Sequence, residues 1–471
     1  MLSIKNLRLK YPNADHKIFD GLDLTIEDKE KVLLLGPSGA GKSTLLNVLS
    51  GIVPDLIELP MKYDRLNIDK HCAMIFQDPD TQFCMPKVKE ELAFILENRQ
   101  VPRSDMDEAI DKALRSVDLT VNPNQYVNKL SGGMKQKLAI AETLLQQADT
   151  LFLDEPTAML DTKSTTELWN KIKRFWKNQT VVIVEHKVEH IWEHIDRVIL
   201  LNYNAEIIAD DTPEKILQHH ERLLSEYGVW HPRAWEHAPE PVLTANNDAT
   251  KEYAFTYKNG VIRRNKQALI SIEDFSVAPG EWITITGQNG AGKTTLFESM
   301  MQLISYDGKM YYHQQPIRKI KEAAKHMYLV YQNPELQFIT QSVYDEIHIQ
   351  FSQKDKEQAK LKTEQMLELL NLSQVRAQHP FELSIGQKRR LSVATALSSP
   401  ADIIMLDEPT FGLDSHNTFN LIQLFQERVQ NGQTIIMITH DPEIISRYPT
   451  RRFHVEDQTL LEVRKTGEDN V

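Results

Sequence analysis

The chain is written twice. GPSGAGKST begins at Gly36, and GQNGAGKTT begins at Gly287, 251 residues later. FQDPDTQF and YQNPELQF set Gln77 against Gln332, 255 apart; Ser131 of LSGGMKQK and Ser384 of LSIGQKRR lie 253 apart, as do Asp154 and Asp407. His186 and His440 are separated by 254 residues. Five motifs in one order at nearly one spacing mark a tandem duplication of a single domain. The 471 residues divide into a first copy over 1–230, a linker over 231–250 and a second copy over 251–471. The linker HPRAWEHAPEPVLTANNDAT carries three prolines and polar punctuation, which separate domains rather than continue them.

Within each copy, short β-rich apolar runs alternate with longer helical patterns, the signature of a parallel sheet with crossover helices. KVLLLG, CAMIFQ, TLFLDE and TVVIVEH read as strands of the first copy, and 106–117, 133–147 and 162–175 as helices. RVILLNYNAEIIADD reads as a terminal hairpin before the helix TPEKILQHH. WITITG, MYLVYQ, IIMLDE, TIIMITH and a closing RRFHVEDQTLLEV repeat the pattern.

Composition narrows the class. With 41% hydrophobic and 25% charged residues the chain can bury a core, yet no apolar run approaches the roughly 18 residues of a membrane span. The N-terminal MLSIKNLRLKYP lacks a signal peptide's apolar core, so the expected location is the cytoplasm. Two cysteines, Cys72 and Cys84, form neither a disulfide framework nor a CxxC metal pair and are expected to be ordinary buried or half-buried residues. A net charge of −12 argues against a sequence-independent nucleic-acid binder, so no nucleic-acid partner is expected.

G-x-x-x-x-G-K-[ST] occurs intact twice, each time between a strand and a helix. Gly36, Pro37, Ser38, Gly39, Ala40, Gly41, Lys42, Ser43 and Thr44 form the first loop; Gly287, Gln288, Asn289, Gly290, Ala291, Gly292, Lys293, Thr294 and Thr295 form the second. Glycines let backbone amides converge on phosphates, the helix N-terminus adds its dipole, Lys42 or Lys293 neutralises charge, and Ser43 or Thr294 binds Mg²⁺. LFLDE and IIMLDE end apolar strands in adjacent acids. Asp154 and Asp407 suit a Mg²⁺ contact, and Glu155 and Glu408 can polarise an attacking water. Paired acids at the end of a buried strand cost free energy unless they are paired or metal-bound, so packing does not explain them. His186 and His440 follow the same strand in both copies and read as γ-phosphate sensors.

GPSGAGKS, LSGGMKQ, LFLDEPTAMLD and VEH, with their second-copy counterparts, resemble the Walker A, signature, Walker B, D-loop and switch motifs of ABC ATPase domains. The resemblance implies tandem P-loop NTPase domains of ABC type, each with a mainly parallel α/β sheet core, an antiparallel β part and a helical subdomain. It implies ATP and Mg²⁺ as cofactors, and two composite sites within one chain where the halves pair head to tail. In that arrangement Ser384 and Gly386 would serve the nucleotide of the first loop, and Ser131 and Gly133 that of the second. Ile385 stands where the first signature has glycine, and the family tolerates a side chain there, which implies that it points away from phosphate. Tyr11 and Tyr257 match the aromatic residue that stacks on adenine, with a core or edge-strand role as the alternative for either, Asp161 and Asp414 match the D-loop, and Gln77 and Gln332 resemble the Q-loop glutamine at the metal and coupling surface. Met134 departs from the common glutamine after the signature glycines.

DPDTQFCMPKVKEELAF and NPELQFITQSVYDEIHIQF look like the ATPases of energy-coupling-factor importers for vitamins and transition metals. That narrower resemblance implies a peripheral protein at the cytoplasmic face of the membrane, docked on a separate transmembrane coupling protein and a small membrane substrate-binding protein. The segments around 77–95 and 332–350 are the candidate docking surface, with apolar residues such as Phe83 and Phe338, for either of which a core role is the alternative. The alternatives are a soluble ribosome-associated tandem ABC mechanoenzyme, whose long basic helical linker is missing here, and a fused sugar-importer ATPase, which commonly has one degraded site.

Overall fold

Four apolar runs of the first half become parallel strands because both faces of each are covered, leaving no polar alternation along them. In the computed structural model, which describes all residues except 13, 158–159, 161, 243–252, 265–266, 355 and 464–471, they join the two strands of the terminal hairpin in a six-stranded sheet. Its order is Ile207–Asp211, Arg197–Leu201, Lys31–Leu35, Thr180–Val184, Thr150–Asp154, Cys72–Ile75. All neighbours are parallel except the first pair, the hairpin expected near the end of this half. Leu33 lies against Ile183 and Val198, and Leu153 against Ile183. Parallel strands all end on one side, so Gly36, Gln77, Asp154 and His186, each at or just past a strand end, are delivered to a common edge.

A separate antiparallel sheet of Leu2–Leu9, Phe19–Ile26, Met61–Lys62 and Arg65–Asn67 packs its leucines and isoleucines against the helix Lys42–Leu49. Helices Val88–Asn98, Arg103–Ser116 and Gly132–Gln146 form the helical part, sharing a core with the sheet through Leu92, Ile110 and Leu138.

The second half has the same plan in one ten-stranded sheet. Its order runs Gln315–Ile317, Tyr306–Tyr312, Phe255–Arg264, Gln267–Val277, Thr459–Val463, Arg451–Glu456, Trp282–Gly287, Thr434–Ile438, Ile403–Asp407, Met327–Val330. The antiparallel and parallel parts are continuous here because Ser271 pairs with Thr459. Trp282, fully buried, stacks on Tyr448 at 5.7 Å and meets Phe425 edge-on.

The chain divides into two compact units, Met1–His237 with Asp414–His416, and Ala238–Leu413 with Asn417–Val471. Within the segment read as linker, 238–242 is held by the second unit: the Tyr448 hydroxyl donates to Pro239 O at 2.7 Å, and the Val242 amide donates to Gln426 Oε1 at 2.7 Å. The rest of that segment, 243–250, lies outside the described residues.

Two sequence expectations change. Cys84 is exposed rather than buried or half-buried. Phe338 is buried, in a core role, and Phe83 packs half-buried on the core; the exposed apolar side chains of that region include Leu336 and Ile339, 68% and 72% accessible.

Candidate active site

The first phosphate loop is shaped by close backbone approach. Gly36 has φ 149°, and a Cβ there would stand 2.6 Å from the Leu201 carbonyl, so only glycine fits. Gly41, at φ 77°, turns the chain into the helix Lys42–Leu49, and a Cβ there would stand 3.0 Å from Ile18. The loop curls around its own lysine: Lys42 Nζ donates to Gly36 O at 2.8 Å and Pro37 O at 2.9 Å. Lys293 repeats this on Gly287 O and Gln288 O at 2.7 and 3.0 Å, ahead of the helix Lys293–Met300. Burial holds the Lys42 ammonium below the usual lysine range, against the pull of Glu155 and Asp154. An anion bound in the loop would reverse that cost.

Beyond each lysine, a hydroxyl meets the strand-end aspartate. Ser43 Oγ donates to Asp154 Oδ1 at 3.0 Å, and Thr294 Oγ1 to Asp407 Oδ2 at 2.6 Å. Hydroxyl plus carboxylate is an oxygen-only donor set of the kind Mg²⁺ takes. Burial pushes the Asp154 carboxyl up to about 6 and raises that of Asp407. These are acids buried ahead of a cation, and they fit the metal that the sequence implies.

The neighbouring glutamates both take left-handed backbone, φ 48° at Glu155 and 53° at Glu408, a conformation that costs free energy in a non-glycine residue. Glu155 Oε2 accepts from Gln77 Nε2 at 2.6 Å, and its Oε1 lies 2.9 Å from His186 Nε2. Burial drives the Glu155 carboxyl upward, but the His186 hydrogen bond and charge, with Lys42 and Gln77, outweigh it and hold it below its usual value. In the second half His440 Nε2 lies 3.6 Å from Glu408 Oε1. A carboxylate kept ionised beside an imidazole at the mouth of a phosphate loop can accept a proton from water while the imidazole addresses the phosphate end.

The signature residues are built on another helix start. Ser131 N-caps Gly132–Gln146 and Ser384 N-caps Ile385–Ser398, each hydroxyl accepting from an amide three residues on at 3.3 Å. At Ser384 the Gln387 side chain returns the bond to the Ser384 amide at 2.9 Å, completing a capping box. Ile385 is 63% exposed, while a Cβ on Gly386 would meet Leu413 at 3.7 Å and one on Gly133 would meet Leu160 at 3.2 Å. In both halves a lysine ties this helix to the turn after the Q-loop glutamine: Lys135 to Asp80 at 2.5 Å, Lys388 to Glu335 at 2.6 Å.

Tyr11 stands at the first loop, its hydroxyl 2.9 Å from Thr44 Oγ1. Tyr257 does not play that part. It is fully buried, packed on Tyr306, with its hydroxyl donating to Asp307 O at 3.2 Å. Strand pairing shows why. Leu9 pairs with Phe19 and Ile262 with Ile270, so Tyr11, two residues past Leu9, corresponds to Arg264, two past Ile262. Tyr257 corresponds to Ile4, a core position. Asp161 lies outside the described residues. Glu185, not singled out in the sequence, is buried directly behind His186. Its sequence signal was the acid in VIVEH where the second half has IMITH.

A duplicated parallel sheet with a lysine-wrapped phosphate loop, a hydroxyl–carboxylate metal pair and a glutamate–histidine pair at each strand edge defines a tandem P-loop ATPase. The family model described as "ABC transporter" matches residues 19–158 and 271–411, and the chain belongs to that family. It is an ATPase that works with ATP and Mg²⁺. It is 32% identical to the "Putative HMP/thiamine import ATP-binding protein YkoD" of Bacillus subtilis (strain 168), over 95% of this chain and 88% of that protein. It is 30% identical to a "Putative ABC transporter ATP-binding protein" of Streptococcus pneumoniae serotype 4, over 97% of this chain and 89% of that one. Among solved structures, "RNase-L Inhibitor" superposes with a TM-score of 0.68 at 20% identity, covering 98% of this chain and 91% of that one, a likeness of fold alone. Among the described residues no helix is long and apolar enough to cross a membrane.

Proposed function

We propose that this chain is the energy-coupling subunit of an energy-coupling-factor importer for a vitamin or a transition metal. On this reading it works at the cytoplasmic face of the membrane with a transmembrane coupling protein and a small membrane substrate-binding protein. The observation that carries it is the 32% identity across 95% of the chain to a relative named for import of HMP and thiamine. Head-to-tail pairing, in which each half's signature serine completes the other half's phosphate loop, belongs to the same reading through the family resemblance.

Surface chemistry supports a membrane partner. Leu336 and Ile339 stand exposed just after Gln332, on the turn that Lys388 ties to the signature helix, so a partner pressing there is linked to the nucleotide side through a short path. The corresponding first-half residues are Thr81 and Cys84, which makes the two halves chemically unequal there. The ribosome-associated alternative has only the shared fold in its favour.

The test is affinity purification of the full chain from detergent-solubilised membranes. A polytopic coupling protein and a small membrane protein should co-purify, and glutamate at Leu336 and Ile339 should release them without loss of ATP binding. Recovery with ribosomal subunits instead would overturn the proposal.

A further inference from the structure

Behind the first glutamate–histidine pair lies a second buried carboxyl. Glu185 directly follows the strand Thr180–Val184 and is 6% exposed. Its Oε2 accepts from Thr157 Oγ1 at 2.8 Å, and its Oε1 accepts from the His186 amide at 2.9 Å. Thr157 is two residues beyond Glu155 and is itself buried. One side chain therefore ties the turn after the catalytic glutamate to the backbone of the switch histidine. The tie closes a ring, because His186 Nε2 returns to Glu155 Oε1 at 2.9 Å and the Glu155 amide donates to Val184 O at 2.8 Å.

Among the described residues, the second half shows no such brace. Thr439 takes the place of Glu185, and its hydroxyl accepts from the Asp441 amide at 3.2 Å, along its own loop. Thr439 is too short to reach across as a glutamate does, and the Glu408–His440 distance there is 3.6 Å.

We propose that Glu185 is a positioning residue of the first ATPase site: it locks the His186 loop to the turn after Glu155 and supplies a second negative charge beside the imidazole, so the chain's two sites differ in rate and in pH response. The inference rests on the ATPase assignment and is independent of the transport reading.

The electrostatics agree with the geometry. Burial pushes the Glu185 carboxyl up to about 7, Thr157 and the His186 amide pull it back, and the charge of Glu155 adds to the rise. His186 is raised despite its burial, chiefly by Glu155, with Glu185 contributing and Lys42 opposing. The charged groups facing Glu185 are thus Glu155 from the adjoining strand end and His186 from its own, while Lys42 acts on both of those. As pH rises through neutrality Glu185 ionises, and the imidazolium gains a second counter-charge.

The experiment compares Glu185→Thr, which installs the second half's residue, with Glu185→Gln, which keeps the shape and the acceptor for the His186 amide but not the charge. Full-length chains carry Glu408→Gln so that steady-state turnover reads the first site. Glu185→Thr should lower kcat about tenfold with KM unchanged, a transition-state loss. Glu185→Gln should recover most of kcat at pH 7 and remove the inflection near neutrality from the pH profile. Histidine-labelled NMR, with His186 assigned by His186→Gln, reads the imidazole whether or not turnover is measurable. Its titration midpoint should fall in both variants, because both remove the carboxylate. An unshifted midpoint in the well-folded Glu185→Gln chain would overturn the proposal, as would equal kcat losses in both variants with an unchanged pH profile.

Discussion

His186 Nε2 lies 2.9 Å from Glu155 Oε1, whereas its counterpart His440 lies 3.6 Å from Glu408. Each pair sits where a glutamate in strained left-handed backbone meets the strand end that carries a histidine. In the first half Gln77 and His186 hold the two carboxylate oxygens, and the histidine, with Lys42, keeps the group ionised against its burial.

Removing that carboxylate's basicity should stop chemistry and spare binding. The Glu155→Gln, Glu408→Gln double variant is expected to lose about 10²- to 10⁴-fold in phosphate release, the range of general-base catalysis, while equilibrium ATP binding stays. Wild-type turnover in the double variant would remove both glutamates from the water-activating role.

Tyr11 and Tyr257 should behave oppositely. Tyr257→Ala opens a cavity in the second half's core and should cost about 3–5 kcal/mol of stability in a denaturant melt. Tyr11 is 39% exposed, so Tyr11→Ala should leave the melt nearly unchanged and weaken ATP at the first loop by about 1–3 kcal/mol, the scale of base–aromatic stacking. Titration with ATP analogues checks the second half of this statement.

The signature caps give a paired test. Ser384→Ala removes the hydroxyl that accepts from the Gln387 amide and should cost about 1 kcal/mol in stability as well as turnover. Ile385→Gly, changing an exposed side chain, should leave turnover within about twofold. A large gain on Ile385→Gly would mean that the second signature is impaired as it stands.

A buried acid outside the sites sets a pH slope. Glu142 is 1% exposed, accepts from Gln82 Nε2 at 2.7 Å, and is pushed up to about 8 by burial, with Glu91 adding. Because the folded value is raised, its contribution to stability is complete below the unfolded value of 4.5 and is lost as pH climbs through 8. Glu142→Gln should flatten the fall in Tm between pH 5 and 9, sparing on the order of 4 kcal/mol. Equal slopes in both chains would show that Glu142 does not titrate in that window.

Much of the architecture needs only neighbouring residues. The repeat, the phosphate loops and the strand-end acids are legible because each is a local pattern: a glycine turn between strand and helix, or two carboxylates closing an apolar run. Parallel strands then bring those ends to one edge whatever the details of packing. By contrast, Tyr257 sits in a plausible aromatic position along the chain, and only the pairing of Phe255–Arg264 with Gln267–Val277 shows it facing the core with Arg264 in the place of Tyr11. Phe338 and Ile339 are adjacent and both apolar, yet one is buried and the other 72% exposed, a choice made by which face of the turn meets the core. Glu185 looks like one more acid beside a histidine until Thr157, 28 residues earlier, is seen to hold its other oxygen. Duplication and loop chemistry can be read from the chain because they depend on neighbouring residues; burial, register and the brace behind His186 depend on partners far along the chain, which only folding brings together.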